Sequence, residues 1–154
     1  MTETAQTTQV YSVFIKATPE QIWDAITKPE FTQKYFYGSR VELGGDRYRG
    51  LNADGNELVT GELIEVDPPR RLVQSFTALW SDEVKAQGTS RVTWDIEQVE
   101  DSCQLTVTHD QLPEDANPEL YGGWPMILSG LKTLLETGEE LTTPGSLRYA
   151  GAGA

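Results

Sequence analysis

The sequence predicts an α+β fold in which an antiparallel sheet packs against one long helix near the C-terminal end. Residues 40–110 alternate between apolar and polar side chains, with turn-forming residues between the runs, which is typical of an antiparallel meander. Residues 117–135 instead place apolar side chains at helical spacing. A helix-start motif behind the first strand adds two short helices before the meander.

The first strand and the two short helices are predicted from the residues that precede the meander. An apolar run from Val10 to Lys16 indicates a strand. Residues 18–21 (Thr-Pro-Glu-Gln) form a capping-box pattern, in which the threonine caps the helix, the proline takes its first position and the glutamine reaches back to the cap. Pro29 ends this helix, because proline removes a helical hydrogen bond. A second short helical stretch is expected from Glu30 to Phe36.

The meander is divided by recognisable turn sequences. Gly-Gly at residues 44–45 and Asp-Gly at residues 54–55 supply the positive φ angles that tight hairpin turns need. Further breaks stand at residues 67–69 (Asp-Pro-Pro) and 100–101 (Glu-Asp). We therefore expect about six antiparallel strands between residues 40 and 110.

The last hairpin of the meander has a predicted register. Val92 and Trp94 share one face of the first strand, and Val107 and His109 share one face of the second. Folding the chain at residues 100–101 sets Trp94 opposite Val107 and Val92 opposite His109. His109 is therefore expected on the apolar face of the sheet, near the end of the last strand.

The final helix is predicted to begin with Asn117 as its cap and Pro118 at its first position. Pro125 interrupts its first turns, so a kink or a late start is expected there. The helix should dock on the apolar sheet face, because one stripe of it carries seven large apolar side chains. These are Leu120, Trp124, Ile127, Leu128, Leu131, Leu134 and Leu135.

The composition disfavours several function classes. The chain has 154 residues, and 12 basic against 24 acidic side chains give a net charge of −12 at pH 7. This charge repels phosphate groups, so binding to nucleic acid or to an anionic membrane surface is not expected. The longest apolar run is three residues, far too short for membrane insertion, and no signal-peptide pattern is visible. A cytoplasmic protein is expected.

The scarcity of cysteine and histidine restricts the chemistry further. Cys103 and His109 are the only residues of their types, so no intrachain disulfide and no zinc site are expected. They lie six residues apart on one predicted strand, roughly 20 Å at about 3.3 Å per residue, which is too far for a thiolate dyad. Cys103 is better interpreted as a small core side chain. We predict no metal site, no cofactor and no assigned catalytic residue.

One folded domain is expected, with a tail at each end. Residues 1–8 are rich in threonine and glutamine, and residues 139–154 include a Gly/Ala/Pro-rich end, so both stretches are predicted to be disordered or flexible. The domain then covers residues 9–138.

Several sequence segments together resemble a known superfamily over about Val10 to Glu136. They are residues 18–23 (TPEQIW), 31–36 (FTQKYF), 61–72 (GELIEVDPPRRL), 90–94 (SRVTW), 105–109 (LTVTH) and 123–124 (GW). In this order and spacing the sequence resembles the START-like (SRPBCC) superfamily, and within it the family named after the activator of the heat-shock chaperone ATPase. The resemblance implies the helix-grip fold, in which a strongly curved sheet wraps around the C-terminal helix and leaves a cavity for apolar ligands.

A candidate ligand site follows from this fold. His109 is interpreted either as a polar handle in an apolar cavity or as a structural histidine bonded within the core. The aromatic side chains are interpreted either as pocket lining or as plain core packing. The predicted ligand-binding residues are Phe36, Phe76, Trp80, Trp94, His109, Trp124 and Leu128.

Three function classes remain open. The first is a binding protein for a hydrophobic or aromatic small molecule, without a cofactor. The second is an interaction module that modulates a chaperone or another protein partner through its acidic surface, as the family name implies. The third is a cofactor-free enzyme of the cyclase or hydratase type, with His109 as acid or base. The sequence favours the first, leaves the oligomeric state undetermined and makes an enzyme the weaker alternative.

Overall fold

Seven strands form one curved antiparallel sheet in the computed structural model of this protein, which describes residues 6–36, 39–113, 115–117 and 120–141. The strands are β1 (Gln6–Ile15), β2 (Arg40–Gly44), β3 (Arg47–Leu51), β4 (Glu57–Asp67), β5 (Arg71–Ala78), β6 (Thr89–Val99) and β7 (Ser102–Pro113). The helices are α1 (Pro19–Thr27), α2 (Pro29–Thr32), α3 (Asp82–Lys85) and α4 (Trp124–Thr137). This confirms the predicted α+β class.

The strand order in the sheet is β1-β7-β6-β5-β4-β3-β2. Strands β2 to β7 are the expected six-stranded meander, and β1 pairs with its far end. In the β6–β7 hairpin Trp94 lies opposite Val107 and Val92 opposite His109, so the predicted register is confirmed. The face that carries Trp94 and His109 packs against α4, and we call it the inner face.

The helix α1 begins as its sequence predicts. The backbone N–H of Gln21 donates to Thr18 Oγ1 at 3.1 Å, and the Thr18 N–H donates to Gln21 Oε1 at 2.9 Å. This reciprocal pair is a complete capping box, with Pro19 at the first helical position. Ile22 and Ile26 are buried, so one apolar face of α1 packs into the core.

Two elements differ in extent from the expectation. Strand β1 begins at Gln6 rather than Val10, because its first residues pair by backbone with the end of β7, a ladder that needs no apolar side chains. Helix α2 ends at Thr32, and the chain continues as turns to Phe36. The short helix α3, capped by Ser81, was not predicted as a separate element.

Helix α4 begins late, at Trp124, as the proline at position 125 suggested. Pro125 occupies one of the first two helical positions, where its missing N–H costs no helical hydrogen bond. The helix ends at Thr137 and is capped by Gly138, whose φ of 78° lies in the left-handed region that favours glycine. The earlier start predicted at Asn117 is therefore not observed, and Pro118 lies outside the described residues.

Helix α4 is tied to the end of β1. Lys132 Nζ donates to the Phe14 carbonyl at 2.7 Å, and Glu136 accepts a hydrogen bond from the Lys16 N–H at 2.9 Å. Lys132 and Glu136 are also paired at 2.6 Å. These bonds fix the helix across the inner face, with Ile127, Leu128, Leu131 and Leu134 buried.

Parts of both predicted tails, residues 1–5 and 142–154, lie outside the described residues. Within the described part of the chain, no helix combines the length and apolar character required to cross a membrane.

Candidate functional site: an aromatic cluster between the sheet and the C-terminal helix

His109 lies at the centre of a buried hydrogen-bond chain. Trp124 Nε1–H donates to His109 Nδ1 at 3.1 Å, and His109 Nε2 lies 2.7 Å from Ser90 Oγ. Because Nδ1 accepts, the proton of the neutral imidazole is on Nε2 and donates to Ser90. Ser90 Oγ–H then donates to the Phe76 carbonyl at 3.3 Å. The chain therefore runs in one direction, from the α4 indole to the backbone of β5.

The surroundings of His109 keep its ring uncharged. The side chain has no solvent exposure, and this burial lowers its pKa to about 4, against a smaller opposing effect of the Asp110 charge. At neutral pH the ring is a neutral bridge between β6 and α4. Both ring nitrogens are used inside the protein, as expected of a structural histidine.

Aromatic rings surround this chain on the inner face. The Trp94 and Trp124 rings meet edge to face with centroids 5.4 Å apart, and Phe36 lies 5.8 Å from Trp124 and 6.5 Å from Trp94. Phe76 stands edge-on to His109 at 4.9 Å. Edge-to-face pairs at such distances are the favoured aromatic arrangement. We call Phe36, Phe76, Trp94, His109 and Trp124 the aromatic cluster.

The structure thus brings five of the seven predicted ligand-binding residues into one connected group. The other two lie in the same apolar core: Leu128 is buried on α4, and Trp80 is partly buried beyond the end of β5. Phe76 lies on the inner face of β5, because its ring contacts His109. Contact of these residues with a ligand stays a prediction.

Sequence reasoning missed Ser90, the acceptor for His109. Ser90 has the same strand parity as Val92 and Trp94, so the alternation of β6 already placed it on the inner face. Its small polar side chain gave no further signal, because its partner lies on the neighbouring strand, 19 residues further along the chain.

Cys103 occupies the opposite end of β7 from His109. It is fully buried, and burial raises the pKa of its thiol, so the thiolate is disfavoured. The interpretation of Cys103 as a small core side chain is confirmed.

Replacing Trp124 with phenylalanine should lower the free energy of unfolding by about 1–3 kcal/mol, since His109 Nδ1 would lose its donor while buried. Urea denaturation measures this change. Trp23→Phe is the matched control, because Trp23 is only partly buried on α1. Equal losses in the two variants would show that the bond to His109 contributes nothing measurable.

Comparison with known proteins places this arrangement in a family context. The family model described as "Activator of Hsp90 ATPase homolog 1-like protein" matches residues 16–136. Among curated proteins, none matches the sequence.

Solved structures share the fold at low sequence identity. CalU16 from Micromonospora echinospora is 21% identical with a TM-score of 0.69, covering 95% of this chain and 83% of that chain. The Aha1 dimer from Colwellia psychrerythraea is 19% identical with a TM-score of 0.68, covering 86% and 98%. PFC0360w, an HSP90 activator from Plasmodium falciparum, is 19% identical with a TM-score of 0.67, covering 84% and 96%. At these identities the likeness shows the fold alone.

Proposed function

The chain belongs to the family of Activator of Hsp90 ATPase homolog 1-like proteins, and within that family we propose that it binds a hydrophobic or aromatic small molecule between the sheet and α4. The observation that carries this proposal is the aromatic cluster, in which rings from the α2 turn, the sheet and α4 converge around one neutral histidine. Apolar and aromatic linings with few polar groups are typical of small-molecule sites.

Phe36 is the proposed entrance to this site. It is the partly exposed member of the aromatic cluster, whereas Trp94 and Trp124 beneath it are 1% and 3% exposed. Phe36 already makes edge contacts with both indoles. Rotation of Phe36 away from them would give a planar ligand the same contacts, without exposing a charged group. The ligand would therefore replace an aromatic ring of the protein.

The first test is to look for a bound molecule. Native and denaturing mass spectra of the protein purified gently from its own cells should differ by a non-covalent adduct that denaturation releases. No adduct, together with no thermal stabilisation by a panel of apolar ligands, would contradict the proposal, since any ligand that binds only the folded state must raise its stability.

Phe36→Ala should tighten binding of an aromatic probe such as 2-naphthol by about tenfold, or ~1.4 kcal/mol, because the probe would no longer have to displace the Phe36 ring from the two indoles. Titration calorimetry measures the affinity. Phe14→Ala is the matched control, because Phe14 is 53% exposed on the outer face of β1. Equal affinity of the two variants and the wild type would show that Phe36 is not part of the site.

A protein partner is the second candidate function. Val10 and Phe14 are 59% and 53% exposed on the same outer face of β1, and one solved relative is described as an HSP90 activator. Large apolar side chains exposed on one face of a strand are found at interaction surfaces. The test measures ATP hydrolysis by the Hsp90 homologue of the same cell. Stimulation that Phe14→Asp abolishes would support this function, and an unchanged rate would count against it.

The enzyme alternative gains no support from the geometry. A substrate could reach a His109 nitrogen only by displacing Ser90 or Trp124. A general acid or base needs a free position within hydrogen-bond reach of the reacting group.

A further inference from the structure

Gln74 is a buried amide in the middle of the inner face. It is 1% exposed and lies on β5 between Leu72 and Phe76, with Leu63 and Val92 opposite it on the flanking strands. Neither Nε2 nor Oε1 has a hydrogen-bond partner among the described residues. Buried amides are almost always paired, so an amide that the described residues leave unpaired points to a partner outside them, such as a ligand or an ordered water.

Trp94 provides a second unpaired group beside it. The side chain is 1% exposed, and its Nε1–H has no hydrogen-bond partner within the described part of the chain. Trp94 pairs with Leu72 across the β5–β6 ladder and is thus a diagonal neighbour of Gln74. The other indole of the aromatic cluster, that of Trp124, is bonded to His109. The two indoles therefore differ. The Trp124 N–H has a hydrogen-bond partner within the protein, whereas the Trp94 N–H has none among the described residues.

The groups around Gln74 are uncharged. A hydrogen-bonding contribution from Gln74 lowers the pKa of the Tyr48 hydroxyl, so the two side chains lie near each other, although their atoms do not meet the distance and angle of a full hydrogen bond. Burial nevertheless raises the pKa of Tyr48 to about 12, so it stays protonated. Among the described residues, the buried polar side chains are Thr32, Ser39, Gln74, Ser90, Thr93 and the neutral His109. An ionised ligand group would have no buried counter-charge there, which makes a neutral group the better fit.

We propose that Gln74 and Trp94 form the polar end of the ligand site and select a neutral aromatic ligand that carries a carbonyl oxygen next to a hydroxyl or N–H donor. Trp94 Nε1–H and Gln74 Nε2–H donate to the carbonyl oxygen, and Gln74 Oε1 accepts from the neighbouring donor. The inference rests on the proposed function, because it assigns the chemistry of the ligand at the same site. A hydrogen-bonding site of this kind discriminates strongly against a ligand that leaves its buried groups unpaired.

The test compares three probes of similar shape: 2-naphthamide, 2-ethylnaphthalene and 2-naphthoate. Gln74→Met should weaken 2-naphthamide binding about tenfold or more, because it removes both hydrogen-bonding atoms, and should leave 2-ethylnaphthalene binding unchanged or tighter. Trp94→Phe should weaken 2-naphthamide binding about threefold to tenfold, since it removes one donor. Charged 2-naphthoate should bind least. Gln104→Met is the control, because Gln104 lies on the other face of β7.

Two readouts keep the test independent of folding defects. Ligand-free Gln74→Met should unfold at a higher temperature than the wild type, because it no longer buries an unpaired amide. In the wild type, the indole N–H resonance of Trp94 should move downfield on saturation with 2-naphthamide, and that of Trp23 should not.

The outcomes separate the two proposals. One outcome is that the probes bind, that both variants prefer 2-naphthamide to 2-ethylnaphthalene as strongly as the wild type does, and that the Trp94 resonance does not move. In that case the inference is overturned and the proposed function stands. Ordered water at Trp94 Nε1 in the presence of bound probe would overturn it likewise. If none of the probes binds the wild type, the inference is overturned, whereas the proposed function is decided separately by the search for a bound adduct and by the panel of apolar ligands.

Discussion

Replacing Gly61 with alanine should lower the free energy of unfolding by about 3 kcal/mol or more, because the added methyl group has no space. A Cβ at this position would lie 1.9 Å from the Ser75 carbonyl oxygen and 2.8 Å from the Ser75 carbonyl carbon. Both are backbone atoms of the neighbouring strand and cannot rotate away. Strands β4 and β5 would have to separate.

The effect of this separation should reach the candidate site. Ser75 also accepts the Glu62 N–H through its Oγ at 2.8 Å, and it lies between Gln74 and Phe76 in the chain. Moving β5 would displace both of those inner-face side chains. The substitution should therefore lower probe affinity as well as stability.

Gly44→Ala is the matched control for this experiment. Gly44 also lies in a strand, but a Cβ there would meet nothing within 4 Å. Its change in unfolding free energy should stay within about 0.5 kcal/mol, as for most surface substitutions. Urea denaturation of the two variants gives the comparison. A Gly61→Ala protein as stable as Gly44→Ala would show that β4 and β5 do not approach as closely as described.

Acidification from pH 8 to pH 5 should destabilise the protein through His109. The unfolded chain binds a proton at this residue near pH 6.5, whereas the folded protein does so only near pH 4. Between these values the unfolded state binds more protons, so stability falls as the pH falls. The loss should be about 2 kcal/mol from pH 8 to pH 5 and about 3 kcal/mol in full.

Unfolding free energies measured by urea denaturation at several pH values test this expectation. His109 is the only histidine in the sequence, so the assignment is direct. In His109→Gln the amide can accept from Trp124 and donate to Ser90, but it does not titrate. This variant should show little change in stability between pH 8 and pH 5. A wild type whose stability is flat over the same range would contradict the low pKa.

The fold was largely predictable because its signals are local or periodic. The capping box at residues 18–21 needs only neighbouring residues, and it forms as expected. The β6–β7 register follows from a short turn and two alternating strands, which leave one pairing that buries both apolar sets. The extent of β1 was not predictable in the same way, because its first residues are held by backbone pairing with β7.

The candidate site was predictable only as a set of inward side chains. Strand parity placed Trp94 and His109 on the inner face, and helical spacing placed Trp124 opposite them. Strand parity also places Gln74 on the inner face. However, a single glutamine in an apolar pattern does not show whether its amide has a hydrogen-bond partner. Its unpaired state depends on the groups that β3, β4 and β6 bring around it.

By itself, the sequence determined the order of the strands and of the main helices, the inner face of β6 and β7, the net charge and the family, because these depend on residue type and spacing along one chain. Only the tertiary structure decided the chemistry of the site. His109 is neutral because its burial lowers its pKa, and Ser90 of β6 and Trp124 of α4 pair with its two ring nitrogens. The Gln74 amide and the Trp94 indole N–H are unpaired because no described residue supplies a hydrogen-bond partner for them. Hydrogen bonding and burial are properties of three-dimensional neighbours, and these neighbours come from distant parts of the chain.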